Sequence, residues 1–138
     1  MTNKSSLLAA LAIATFSPSA LADAPQAPVG KWLAEDIRGG GVIDRLQTTL
    51  EIRGDGQVSG TGGCNRYTGH ATIEGASIKF GPLASTMMAC TPAAMDQERK
   101  FFDTLKEVTG WEIDSTSGLL SLTGTGNKTL VRFADMDR

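Results

Sequence analysis

The residues in this chain that could do chemistry are two cysteines, one histidine and a group of methionines. Cys64 lies in the run Gly60–Tyr67, which reads Gly-Thr-Gly-Gly-Cys-Asn-Arg-Tyr, and Cys90 ends a second unusual run, Leu83–Cys90. A cysteine thiolate is a nucleophile when a neighbouring base activates it, and two cysteines can instead form a disulfide. We expect the two runs to meet in the fold.

The first 22 residues have the parts of a secretory signal peptide. Lys4 and the amino terminus supply positive charge, Leu7–Phe16 is an apolar run, and Ala20–Ala22 reads Ala-Leu-Ala. The apolar run is too short to span a bilayer, which needs about 20 residues. We therefore expect cleavage after Ala22, no stable membrane insertion, and a periplasmic or secreted protein. No cysteine near the cleavage point could carry a lipid.

Three uses of the cysteines remain open from the sequence. In the first, Cys64 and Cys90 form a disulfide, which stabilises the chain by roughly 3.5 kcal/mol in the chain-entropy estimate. In the second, His70, the only histidine, is the base for a Cys64 nucleophile. In the third, the cysteines, His70 and Met87, Met88 and Met95 bind Cu(I), although methionines also fill gaps in cores. Export and the pair of cysteines favour the disulfide, and we expect no metal, cofactor or catalytic residue.

Charge argues against nucleic acid as a partner. The formal net charge is −2, and the lysines and arginines are scattered without a basic run. A nucleic-acid-binding domain shows a basic patch or stripe. The length of 138 residues fits one domain, which we expect to be a monomer.

The pattern of turns and apolar residues predicts short strands with one late helix. Residues 23–29 are expected to form a flexible leader, followed by a domain over residues 30–135. Gly54–Gly56 separates two alternating runs and predicts a hairpin. Thr91 and Pro92 predict a helix start, and apolar spacing continues the helix to about Val108. The predicted strands are residues 32–37, 48–53, 57–60, 67–73, 77–80, 111–114, 119–123 and 129–133.

These elements predict an α+β fold. One amphipathic helix cannot cover both faces of so large a sheet, so we expect a curved antiparallel sheet rolled toward a barrel, with the helix closing one side or end. The glycines of Gly60–Gly63 predict a bend or a close backbone approach. They do not predict a nucleotide site, because no Gly-Lys-Ser/Thr follows.

The two cysteine runs resemble the signatures of a known family. Gly62–Gly69 resembles the Gly-x-Cys-Asn-x-Tyr-x-Gly signature of the META domain, also called the HslJ-like heat-shock domain. Leu83–Cys90 resembles its second signature, which ends Thr-x-Met-Ala-Cys. The resemblance implies a curved antiparallel sheet in an exported bacterial protein, with links in some members to heat shock or novobiocin resistance and no established enzymatic activity. The position of Met87 is often Arg or Lys in the family.

Binding rather than catalysis is the function that these observations favour. The expected partner is an unknown envelope protein or a small apolar ligand, in a stress or drug-tolerance role. The alternative is a carrier whose barrel interior holds lipid or another hydrophobic small molecule. An interior filled by large side chains would favour a domain that works by its surface; the candidates are Phe80, Phe101, Phe102, Leu105 and Trp111.

A polar rim beside the first cysteine is the candidate binding surface. Its predicted residues are Asn65, Arg66, Tyr67, Thr86 and Met88. The more ordinary interpretation of Asn65 is a turn residue, because asparagine tolerates left-handed backbone and bonds its own main chain.

Overall fold

The computed structural model describes residues 9–15 and 27–137. Most of the predicted signal peptide and part of the predicted leader lie outside these residues, and residues 9–15 form neither helix nor strand. Pro28 is buried, and its carbonyl oxygen accepts a hydrogen bond of 2.9 Å from Trp32 Nε1. The packed part of the domain therefore begins before the predicted boundary at residue 30.

Nine strands and one α-helix make up the regular structure from residue 27 onward, with a 3₁₀ turn at Thr125–Asn127. Helix α1 spans Pro92–Leu105, and no helix among the described residues is long and apolar enough to cross a membrane. The strands are β1 Gly30–Ile37, β2 Thr49–Ile52, β3 Gln57–Thr61, β4 Arg66–Glu74, β5 Ser77–Phe80, β6 Ala84–Ser85, β7 Gly110–Ile113, β8 Leu120–Thr123 and β9 Thr129–Asp135.

Eight of these strands close an antiparallel barrel, which confirms the prediction of a curved antiparallel sheet rolled toward a barrel. The ring runs β3–β2–β1–β9–β8–β7–β5–β4, and β4 pairs with β3 to complete it. The short β6 pairs with β4 alone. The seam between β5 and β7 is the thinnest, because its ladder contains one residue pair, Ser77 opposite Gly110.

Helix α1 closes one end of the barrel through polar side chains. Gln97 accepts a hydrogen bond from Ile43 N at 2.8 Å and donates one to Thr48 Oγ1 at 2.9 Å, both in the connection from β1 to β2. Thr104 Oγ1 accepts from Arg38 Nε at 2.7 Å, just after β1. Because strand directions alternate, the end of β1 and the start of β2 share this rim with the end of β3 and the start of β4.

The helix begins where the sequence predicts and ends earlier. Thr91 Oγ1 accepts from Ala94 N at 3.4 Å, and Pro92 occupies the first turn, where it has no amide hydrogen to leave unpaired. The predicted end at about Val108 was wrong, because the helix stops at Leu105. Val108 is nevertheless buried, since the turn after the helix returns to the core.

Large side chains fill the barrel interior. Phe101 and Leu105 of α1 are fully buried, and the Phe101 ring lies 5.9 Å from the ring of Tyr67 and 6.3 Å from that of Phe133. Trp111 and Phe102 are half-buried and pack against the same core. The helix therefore contributes to the core as well as closing the barrel.

Tyr67 is the single tyrosine of the sequence, and only 1% of its surface is exposed. Its hydroxyl donates a hydrogen bond of 2.6 Å to the carbonyl oxygen of Thr49. Burial raises the pKa of the Tyr67 phenol well above its usual range.

This shift predicts how the protein responds to alkali. The unfolded chain ionises its tyrosine at about pH 10, whereas folded Tyr67 stays protonated, so the stability from this group is complete below that pH and lost above it. We expect phenolate absorbance to rise only together with loss of native circular dichroism. Ionisation at about pH 10, the value for an unperturbed tyrosine, in protein that remains folded would contradict the buried placement.

Candidate functional site

A disulfide joins Cys64 to Cys90 and brings the two cysteine runs together. The S–S distance is 1.99 Å and the Cα atoms are 5.9 Å apart. No cysteine is free in the described residues. Cys64 is buried and Cys90 is exposed, so the bond anchors an exposed segment to a buried bend.

The disulfide uses both of the sulfur atoms that the alternative cysteine chemistries need. His70 lies opposite Gln57 at the beginning of β3, whereas Cys64 follows the end of that strand. The Nε2 atom of His70 lies 3.1 Å from the carbonyl oxygen of Asp55. Over the described ranges, no group of three or more His, Cys, Asp or Glu side chains is placed to hold a metal ion. Met87 and Met88 are 94% and 55% exposed, so neither fills a gap in the core.

Asn65 lies at the centre of a hydrogen-bond network beside the disulfide. Its Oδ1 accepts from Met88 N at 2.6 Å and from Thr86 Oγ1 at 2.9 Å. Its Nδ2 donates to Glu98 Oε2 at 2.8 Å and to Met88 O at 3.3 Å. One amide side chain thus connects the bend after β3, the segment 83–90 and helix α1.

The predicted polar rim requires a correction at two of its five residues. Asn65 is 4% exposed because its amide is used by the surrounding segments, and Tyr67 is buried in the core. Nor does Asn65 have the left-handed backbone of the ordinary turn interpretation, since it is absent from the described non-glycine residues with positive φ. Arg66, Thr86 and Met88 are exposed, and their role in binding stays a prediction.

Sequence reasoning missed Glu98, which completes the network. Its Oε1 accepts hydrogen bonds from the backbone N–H groups of Cys64 at 3.2 Å and Asn65 at 2.5 Å. The residue is only 7% exposed. Its position three residues before Phe101 places it on the buried side of α1, and this spacing was the available signal.

Glycine is required where the bend approaches the helix. A Cβ atom at Gly62 would lie 2.7 Å from Glu98 Cγ and 2.8 Å from Phe102 Cζ. Gly63 has φ +136°, and a Cβ atom there would lie 3.2 Å from the carbonyl oxygen of Ala94. The predicted structural role of Gly60–Gly63 agrees with this close approach.

A cleft lies between residues 79–85, which run from the end of β5 through β6, and the C-terminal half of α1. Its volume is about 640 Å³, and its apolar lining includes Phe80, Leu83, Phe102 and Leu105. Lys79 and Lys106 also line it. We call it the β5–α1 cleft. A second cleft of about 400 Å³, which Thr86, Met88 and Glu98 help to line, adjoins it and shares Ser85, Phe102 and Lys106.

Two of three comparisons with known proteins give a match, one to a family model and one to solved structures. A family model described as META domain matches residues 26–137. A search of curated proteins finds no match. A solved NMR structure from Burkholderia xenovorans is 23% identical and has a TM-score of 0.64, with 88% of this chain and 98% of that chain covered. Another NMR structure is 24% identical, with a TM-score of 0.59 and coverage of 78% and 90%. At these identities the likeness shows the fold alone.

The network predicts that Glu98→Gln destabilises the protein. Glutamine would place an NH₂ group against Asn65 Nδ2 or a backbone N–H, which leaves a buried donor without an acceptor. We expect the free energy of unfolding to fall by about 1–3 kcal/mol, measured by denaturant unfolding. Glu112→Gln, at an exposed position on β7, is the matched control. Equal stabilities for the two variants would contradict the role of Glu98.

The disulfide predicts both a chemical and a thermodynamic result. Unreduced protein should take up no alkylating reagent in an intact-mass measurement, and full alkylation without reductant would contradict the bond.

Replacing Cys64 and Cys90 together by serine should lower the free energy of unfolding by roughly 3.5 kcal/mol, since the unfolded chain gains the freedom of the opened loop.

Proposed function

This chain belongs to the META domain family, and from that premise we propose that it is an exported, non-enzymatic domain that binds an envelope protein or a small apolar ligand at its surface. The role that we propose for this binding is tolerance of envelope stress or of drugs. Since the family membership establishes a fold and no activity, the support for each part of the proposal comes from the residues themselves.

The observation that carries the proposal is the filled interior of the barrel. Phe101, Leu105 and Phe133 are fully buried in one apolar cluster with the inward side chains of the strands. A carrier that held its cargo at the barrel axis would have to displace these side chains, and emptying a packed core costs several kcal/mol for each large residue removed. Recognition at the surface requires no such rearrangement.

The outside of the barrel beside α1 offers a rigid surface for binding. Segment 83–90 is exposed over most of its length. The disulfide at Cys90 and the hydrogen bonds that Thr86 Oγ1 and Met88 N donate to Asn65 Oδ1 hold it in one place. A preorganised surface loses less conformational entropy when it binds, which favours affinity.

Export is supported by the cysteine chemistry as well as by the amino-terminal residues. Disulfides persist in oxidising compartments such as the periplasm and are rare in the cytosol. The Cys64–Cys90 bond is compatible with such a compartment, and the residues 1–22 have the charge, apolar run and cleavage sequence of a signal peptide.

The cysteine chemistry also supports a non-enzymatic role. Cys64 is held in the disulfide, so its sulfur is not available as a nucleophile. The buried Glu98 carboxylate accepts three N–H groups and serves to hold backbone in place.

Position-specific cross-linking tests the proposal. The full chain, carrying a photo-cross-linking amino acid at Met87, is irradiated in its own cell, and the periplasmic protein is analysed by mass. We expect the mature chain to start at Asp23. We also expect the cross-linker at Met87 to form one discrete adduct with a bound partner or ligand. The matched control carries the cross-linker at exposed Asp55, in the turn between β2 and β3 at the opposite end of the barrel. Protein with an uncleaved amino terminus would contradict export, and no adduct, or equal adducts at both positions, would contradict binding at this surface.

A further inference from the structure

We infer that the β5–α1 cleft binds a soluble, single-chain anionic amphiphile, which is an alkyl chain that ends in a carboxylate, sulfate or phosphate. This inference names the ligand class for the surface-binding function proposed above and rests on it. The location differs from the interior carrier site considered from the sequence, because the cleft lies outside the packed barrel.

The floor of the cleft suits an alkyl chain. Phe80 and Leu105 are buried at its base, and Leu83 and Phe102 are half-buried along its sides. Its volume of about 640 Å³ is within the range of roughly 300–1,000 Å³ that is usual for small-molecule sites. Ligand sites of this kind are mainly apolar with a few polar groups that fix the orientation.

The charged groups at the cleft favour an anionic head. Lys79 and Lys106 both line it, and no acidic residue does. Lys106 Nζ contacts Asp103 Oδ1 at 3.3 Å, but this pair is solvent-exposed and such pairs contribute little, so a ligand can compete for the lysine. Lys79 takes part in no salt bridge with the residues that the structure describes.

The end of α1 does not oppose an anion strongly. Unpaired carbonyl groups give the C-terminus of a helix a partial negative charge. Here the carbonyl oxygens of Thr104 and Leu105 accept hydrogen bonds from Glu107 N at 3.0 Å and Val108 N at 3.3 Å. The lysines are therefore the dominant charges that face the cleft.

The strand edge argues against an extended peptide as the ligand. Gly81 N donates to His70 O in β4, so by alternation the N–H and C=O of Phe80 face the other way, toward the cleft. A peptide strand would need a run of such groups. Pro82 has no N–H, and Gly81–Pro82 separates β5 from β6. The strand edge that faces the cleft is therefore interrupted directly after Phe80. A small molecule does not depend on this ladder.

Titration with matched amphiphiles tests the inference. The isolated exported protein is titrated with monomeric dodecanoate and with dodecyltrimethylammonium, which have alkyl chains of equal length and opposite charge. Binding is followed by calorimetry and by amide NMR shifts. We expect dodecanoate to shift residues 79–85 and 102–106, and the cationic amphiphile to bind at least about tenfold more weakly.

Variants separate the head-group contacts from the apolar floor. Lys79→Ala and Lys106→Ala should each weaken dodecanoate about twofold to fivefold. Lys31→Ala, an exposed change at the start of β1, should leave the affinity unchanged. Leu83→Asp should abolish binding of dodecanoate, with circular dichroism to confirm that the variant is folded.

Several results would overturn the inference. They are equal affinity for the two amphiphiles, shifts outside the cleft, no binding, or cosedimentation with phosphatidylglycerol vesicles without binding of monomeric dodecanoate. No dodecanoate binding together with a position-specific adduct at Met87 would overturn the ligand class and leave the surface-binding proposal standing. Absence of dodecanoate binding and of the Met87 adduct would overturn the ligand class and the surface-binding proposal together.

Discussion

The pairing of buried Asn65 with buried Glu98 is the interaction on which the arrangement of this site depends. A carboxylate loses its hydration when it is buried and is tolerated only where hydrogen bonds replace the water. The protein supplies three N–H donors from Cys64 and Asn65. These contacts require the bend after β3 to lie directly against α1, and that is why a side chain at Gly62 would collide with Glu98. The bend in turn directs Cys64 toward Cys90 and Asn65 toward segment 83–90.

The side chains of α1 have two structural roles, and these roles determine where the proposed binding can occur. Phe101 and Leu105 fill the barrel, while Gln97, Glu98 and Thr104 tie the helix to the connections around one barrel end. The interior of the barrel is a packed apolar core. An accessible apolar surface lies in the β5–α1 cleft, where residues at the end of β5 and in the C-terminal half of α1 form the lining. The function proposed for the domain follows from this geometry.

Local signals in the sequence predicted much of the fold. The hairpin at Gly54–Gly56 and the helix start at Thr91–Pro92 depend on residues adjacent in the chain. The closure of the barrel depends on pairs distant in sequence, such as Ser77 with Gly110, which no local pattern encodes. The two residues of β6 are too few to show alternation. Asn65 and Glu98 were not predicted to be buried together because polar residues are usually exposed, and their mutual satisfaction depends on a contact across 33 positions.

Native-state hydrogen exchange of the Cys64 and Asn65 amides tests the central role of Glu98 most directly. Both amides lie in the bend between β3 and β4 and belong to neither strand. If the buried carboxylate holds them, they exchange only through global unfolding, as core amides do. Exchange as fast as that of the exposed turn amide of Gly54 would contradict the account.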